Sequence, residues 1–179
     1  MRWITFLILL YVMSSLQLGR LGSLPPGLWP SIEFLPILAI FYALFAAESA
    51  APLCGLICGL FYDLPWTTDT MLGTCAVPLA LTTLLVVRIR LSIFREHVLS
   101  QLLMTFLAIM VFAILSVIVR LIIKASLEGG IFTYLGHMSA NAIYSAIVAP
   151  LFFWLFFRFQ SLLGFTSHGP RSRIHESRR

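Results

Sequence analysis

Long apolar stretches, separated by short polar or turn-rich segments, organise this chain of 179 residues. Because about 20 apolar residues suffice for a helix to cross a bilayer, the pattern predicts an all-α integral membrane protein, a compact bundle of about six transmembrane helices. The predicted spans cover residues 3–18, 34–47, 50–62, 71–91, 98–123 and 138–159. Residues 1–165 then form one domain, and residues 166–179 form a basic tail without apolar periodicity, which we expect to be disordered.

Residues 34–62 allow two interpretations. A single helix of these 29 residues would measure about 43 Å, well beyond the hydrocarbon thickness of about 30 Å. It would also place Glu48 near the membrane midplane, where an unpaired carboxylate costs at least ~2.5 kcal/mol. A break at Glu48–Ser49 avoids that cost and puts Pro52 in the first turn of a new helix, where proline is tolerated. We therefore expect two short spans, packed inside the protein or surrounded by thinned bilayer.

Composition and charge support membrane insertion. Hydrophobic residues make up 60% of the chain and charged residues only 11%, whereas a soluble domain has about 25% charged residues. With six spans, nine of the twelve Lys and Arg residues lie on one side, so the positive-inside rule puts both termini in the cytoplasm. A five-span arrangement gives the same division and moves only the N-terminus outside. Clustering of the basic residues favours contact with anionic lipid over nucleic acid.

The sequence predicts no catalytic, cofactor or metal site. Cys54, Cys58 and Cys75 lie in apolar stretches and are expected to be small buried hydrophobes. Asp63 and Asp69 lack an accompanying nucleophile–base pair, so Asp63 is expected to hydrogen-bond backbone or a neighbouring helix end. Asp69 is a candidate cap for the helix that begins near residue 71.

Other polar residues also receive structural interpretations. Arg120 and Lys124 are expected to reach the membrane interface, with an ion pair to Glu128. Asn141 is expected to hydrogen-bond to another helix, and Pro78 and Pro150 to kink the spans that contain them.

Small residues recur every fourth position along the third stretch. Ala47, Ala51, Gly55 and Gly59 form one stripe, and residues 55–59 match the G-x-x-x-G pattern of closely packed membrane helices. The stripe has two interpretations, packing within the bundle or a contact surface for another membrane protein. The candidate packing or partner residues are Ala51, Gly55, Gly59, Asp63, Gly73 and Asn141.

The segment GLICGLFYDL at residues 55–64 resembles the glycine-rich, aspartate-closed helix of the rod shape-determining MreD family. LPILAIFYAL at 35–44 resembles that family's proline-led second span, and Leu72-Gly73 the start of its next span. The resemblance implies a bundle similar to the S-components of ECF transporters. It also implies a non-catalytic scaffold of cell-wall elongation and rod cell shape in the bacterial cytoplasmic (inner) membrane. The implied partners are MreC and, through it, MreB, RodA and the class B penicillin-binding transpeptidase.

Two alternative functions and the question of self-association stay open at this point. An S-component-like vitamin-binding protein would carry an alanine stripe in its first helix, and residues 3–18 contain no alanine. A lipid-modifying enzyme would need a converging set of acid, base or metal-binding side chains, which the sequence does not show.

Overall fold

The structure, a computed structural model, describes residues 3–19, 31–46, 48–64, 73–89, 98–123 and 130–158. Within these ranges every regular element is a helix, which confirms the all-α part of the predicted fold class. The helices are α1 (Trp3–Leu18), α2 (Phe34–Phe45), α3 (Ala51–Asp63), α4 (Ala76–Ile89), α5 (Val98–Ile122) and α6 (Ile131–Arg158). The predicted tail at 166–179 lies outside the described residues.

The helices differ sharply in length. Both α5 and α6 are long and apolar enough to cross a membrane, with 25 and 28 residues. The other four are apolar but shorter, with 12 to 16 residues, which at 1.5 Å per residue corresponds to about 18–24 Å.

The expected break at Glu48 is confirmed. Helix α2 ends at Phe45, and α3 begins at Ala51 with Pro52 in its first turn. Glu48 is exposed between them, so the chain keeps this carboxylate at a helix end and out of the apolar core.

Helix α2 forms the centre of the molecule. Every residue from Phe34 to Leu44 is buried, and α2 packs against all five other helices, most closely against α3, α4 and α1. The Phe41 ring lies 5.4 Å from the Phe153 ring and 4.9 Å from the Phe156 ring, centroid to centroid. A helix surrounded by protein can be short, because lipid does not set its length.

The predicted start of the fourth span was wrong. Residues 73–75 form a turn in which Gly73 has a φ of 105°, and α4 begins only at Ala76. Pro78 therefore lies in the first turn, where a backbone N–H has no partner within the helix. Pro78 was expected inside the fourth span, and it lies instead at the helix start, where it removes no interior hydrogen bond.

The sixth helix starts earlier than predicted. It begins at Ile131, directly after Gly130 with a φ of 87°, and it contains Pro150. The local hydropathy is lowered by Thr133, Gly136 and His137, so the predicted start lay at residue 138. None of these residues prevents a helix from forming.

Candidate functional site

The carboxylate of Asp63, at the end of α3, caps the start of α4. Its Oδ2 accepts hydrogen bonds from the backbone N–H groups of Gly73 (2.9 Å), Cys75 (3.1 Å) and Ala76 (3.3 Å). Its Oδ1 accepts from the Thr74 hydroxyl at 3.1 Å and from the Cys75 N–H at 3.0 Å. Backbone N–H groups at a helix start lack partners within the helix, and this one buried carboxylate accepts three such groups in and before the first turn of α4. The expected role of Asp63 at a neighbouring helix end is confirmed.

Gly73 makes this cap geometrically accessible. Its φ of 105° is a left-handed conformation that side chains other than glycine rarely adopt. The turn then directs successive N–H groups toward one carboxylate. Asp69, the cap expected from the sequence, lies outside the described residues.

A second carboxylate, Glu33, lies buried just before α2. Its Oε2 accepts from Gln17 Nε2 at 3.2 Å and its Oε1 from Asn141 Nδ2 at 3.0 Å. Tyr62 also hydrogen-bonds the Glu33 side chain, and the Glu33 N–H donates to the Ser145 hydroxyl at 2.9 Å. Burial raises the pKa of Glu33 above its usual range, although the three side-chain donors partly oppose that shift. We call Gln17, Glu33, Tyr62, Asn141 and Ser145 the Glu33 cluster.

The Glu33 cluster joins four helices at one end of the bundle. The Gln17 side-chain oxygen accepts the Phe34 N–H at 2.8 Å, which connects α1 to the first turn of α2. The Asn141 oxygen accepts the Ser31 N–H at 2.9 Å, so α6 holds the segment that leads into α2. Asn141 was expected to hydrogen-bond another helix, and its partners Ser31 and Glu33 lie in the segment directly before α2.

Arg120 lies near the Asp63 cap, beside Cys75 and Tyr134. Its guanidinium carbon is 5.4 Å from the centroid of the Tyr134 ring, and its side chain also interacts with Cys75. Nε is buried without a hydrogen-bond partner among the described residues. The side chain therefore turns partly inward, where the sequence suggested simple extension to the interface. The expected partners Lys124 and Glu128 lie outside the described ranges.

The glycine stripe of α3 faces α4. A Cβ on Gly59 would meet the Ala76 Cα and lie 2.9 Å from the Cys75 carbonyl oxygen. A Cβ on Gly55 would meet the Thr83 hydroxyl and lie 3.0 Å from the Leu79 carbonyl oxygen. Ala51, on the same stripe, is fully buried. A second membrane protein therefore has no room at these glycines while α3 and α4 stay together.

The polar side chains at this end of the bundle form hydrogen bonds that hold neighbouring helices together. Both carboxylates already accept several internal hydrogen bonds, and the Cys75 thiol beside Asp63 is buried. Within the described ranges, no three His, Cys, Asp or Glu side chains lie close enough to hold a metal ion. Cys54, Cys58 and Cys75 are buried free thiols, as expected.

Sequence reasoning missed Glu33, its donor Gln17 and the Ser145 hydroxyl that accepts the Glu33 N–H. A signal was present, because Glu33 directly precedes the apolar stretch at 34–47 and Gln17 ends the stretch at 3–18. Opposite ends of two consecutive spans meet on the same side of a membrane, so a donor and an acceptor placed there can pair.

No family model matches this chain, and neither does any curated protein or solved structure.

Proposed function

We propose that the protein is a non-catalytic, multi-pass scaffold of the MreD kind, which assembles with MreC in the bacterial cytoplasmic membrane. The observation that carries the proposal is the α3–α4 unit, a glycine-lined helix whose closing aspartate caps its neighbour. These are the residues in which the sequence resembles the family. The unit supports a structural role because its polar groups form hydrogen bonds within the protein.

In this proposal all six helices cross the bilayer in an S-component-like bundle, with both termini in the cytoplasm. The large apolar side chains exposed on α1, α3, α4, α5 and α6 support lipid contact around the bundle. The Glu33 cluster and the Asp63 cap then lie at the extracytoplasmic end. Since the glycine stripe is occupied by α4, MreC binds an outward-facing surface.

Co-purification tests the proposal. The tagged chain is extracted in mild detergent from cells that also produce MreC of the same bacterium, and an unrelated polytopic membrane protein with the same tag is the control. We expect MreC to be retained by the chain and not by the control. Equal recovery of MreC from both would contradict the scaffold role.

A cellular experiment complements the pull-down. Depletion of the protein in its rod-shaped host should round the cells, and re-expression of the wild-type chain should restore rods. Cells that keep their rod shape throughout depletion would exclude a role in elongation.

Small-molecule binding is a second candidate function, favoured by the buried polar side chains around Glu33 and Arg120. Arg120 Nε has no described partner, and Tyr134 and Cys75 lie beside it. The internal saturation of Glu33 favours the scaffold instead. Native mass spectrometry of the purified chain decides between them, because a vitamin receptor would carry a stoichiometric small ligand and a scaffold would not.

A further inference from the structure

We propose that the α3–α4 face of the bundle is a binding surface for phospholipids with short acyl chains, and that it thins the bilayer on that side only. This inference rests on the proposed insertion into a membrane and is independent of any protein partner. It follows from the lengths of the apolar bands that the helices leave exposed.

The exposed band on α3 and α4 is short. Among the described residues, the exposed large apolar side chains run from Leu53 to Leu64 along α3 and its C-cap, and from Val77 to Ile89 on α4. At 1.5 Å per residue these bands measure about 17 and 18 Å, against a hydrocarbon core of about 30 Å. Exposed Glu48 and Arg88 mark the same end of this antiparallel pair with charge.

The exposed apolar bands on α5 and α6 are longer. On α5 exposed large apolar residues extend from Leu103 to Ile122, over about 29 Å. On α6 they occur at Ile131 and Phe132 and again from Ile143 to Leu155, over about 36 Å in all. Because α3 packs on α4 and α5 packs on α6, each length is shared by two neighbouring helices. One molecule therefore presents two different apolar thicknesses.

Lipid is the occupant that fits the short face. Exposed Leu53, Leu56 and Leu60 project from α3 without a polar or small residue that would guide a partner helix. The side of α3 that could accept a close-packed helix carries Gly55 and Gly59 and is already covered by α4. Acyl chains shorter than the average of the surrounding bilayer match the length of such a band. The leucine side chains then stay out of water, and the lipid headgroups stay out of the hydrocarbon region.

Fluorescence quenching by brominated lipids tests this inference at single positions. The four tryptophans are replaced by phenylalanine, and one tryptophan is introduced as Leu56→Trp on α3 or Ile147→Trp on α6. Both positions are exposed. Each variant is reconstituted with brominated dioleoyl-phosphatidylcholine mixed with unbrominated dimyristoleoyl-, dioleoyl- or dierucoyl-phosphatidylcholine, and quenching gives relative binding constants.

At Leu56→Trp we expect the dimyristoleoyl lipid to be preferred over the dierucoyl lipid by roughly threefold or more. At Ile147→Trp that preference should be absent or reversed. Equal selectivity at the two positions overturns the proposal. Quenching at Ile147→Trp alone also overturns it, because the α3 face would then be covered by protein such as a second copy. Absence of quenching at both positions would instead refute membrane insertion itself.

A measurement on the wild-type chain keeps the proposal testable if these variants do not fold. The protein is extracted with an amphipathic polymer from vesicles that contain the three unbrominated lipids in equal amounts, and the co-extracted lipids are quantified. Enrichment of the dimyristoleoyl lipid over bulk is the expected result, and extraction of bulk composition contradicts it.

Discussion

Two buried carboxylates, Asp63 and Glu33, lie at the same end of the bundle and accept hydrogen bonds from different kinds of donor. Asp63 accepts backbone N–H groups from one turn, whereas Glu33 accepts from side chains of three different helices. The role of Asp63 could be predicted, because an acid that closes an apolar helix and is followed by a turn has few other partners. The role of Glu33 was missed, because its donors are distant in sequence and only the positions of Glu33 and Gln17 at span ends indicated it.

Asp63→Ala should lower the free energy of unfolding by about 2–3 kcal/mol, because several buried donors lose a charged acceptor. Thermal or denaturant unfolding in detergent measures the change. Ser139→Ala is the control, since the Ser139 hydroxyl donates to the Gly136 carbonyl of its own helix, and it should change stability by less than about 0.5 kcal/mol. Equal stability of Asp63→Ala and wild type would show that the cap is dispensable.

Glu33 should make stability depend on pH. Burial raises its pKa in the folded state above the value in the unfolded chain, so the folded state binds the proton more tightly and this contribution is lost as pH rises. When the pH is lowered from 8 to 5, the melting temperature of the wild type should therefore rise relative to that of Glu33→Gln. Parallel melting curves for the two proteins across this range would exclude a raised pKa.

At the scale of elements, the packing of α3 on α4 depends on two glycines with different neighbours. Gly55 is limited mainly by the side chain of Thr83, whereas Gly59 is limited by the backbone of Cys75 and Ala76. The stripe was visible in the sequence, but its occupant was not, because helical periodicity gives a face and no neighbour. The first turn of α4 was mispredicted for a related reason, since Pro78 is compatible with a helix start as well as a kink.

Gly59→Ala should lower the free energy of unfolding by about 1–3 kcal/mol. A second substitution should not restore the loss, because the atoms in contact belong to the backbone. Gly55→Ala should also destabilise the protein, and Thr83→Ala in the same chain should recover most of the loss. Unfolding of the single and double variants gives the coupling energy between positions 55 and 83.

Gly136→Ala is the matched control for both glycines. No atom lies within 4 Å of a Cβ at Gly136, so alanine should be neutral or stabilise α6 by up to about 1 kcal/mol through helix propensity. If Gly59→Ala were as stable as Gly136→Ala, the close approach of α3 to α4 would be wrong.

At the scale of the whole molecule, hydropathy predicted a six-helix chain, while the arrangement of the helices came only from the structure. The break at Glu48 was predictable because an acid cannot remain in an apolar core without a partner. The central place of α2 was not, because its apolar residues would suit either lipid or protein neighbours. Its complete burial and the exposed leucines on α3 distinguish those environments.

The central claim is that α3 crosses the membrane as a short helix, so that its two ends lie on opposite sides. Single cysteines at Glu48→Cys and Leu64→Cys, both exposed positions, test this with a membrane-impermeant maleimide applied to intact spheroplasts. We predict that Leu64→Cys is labelled from outside and that Glu48→Cys is labelled only after the membrane is opened. The wild type, whose cysteines Cys54, Cys58 and Cys75 are buried, gives the background. Labelling of both positions from the same side would contradict the crossing.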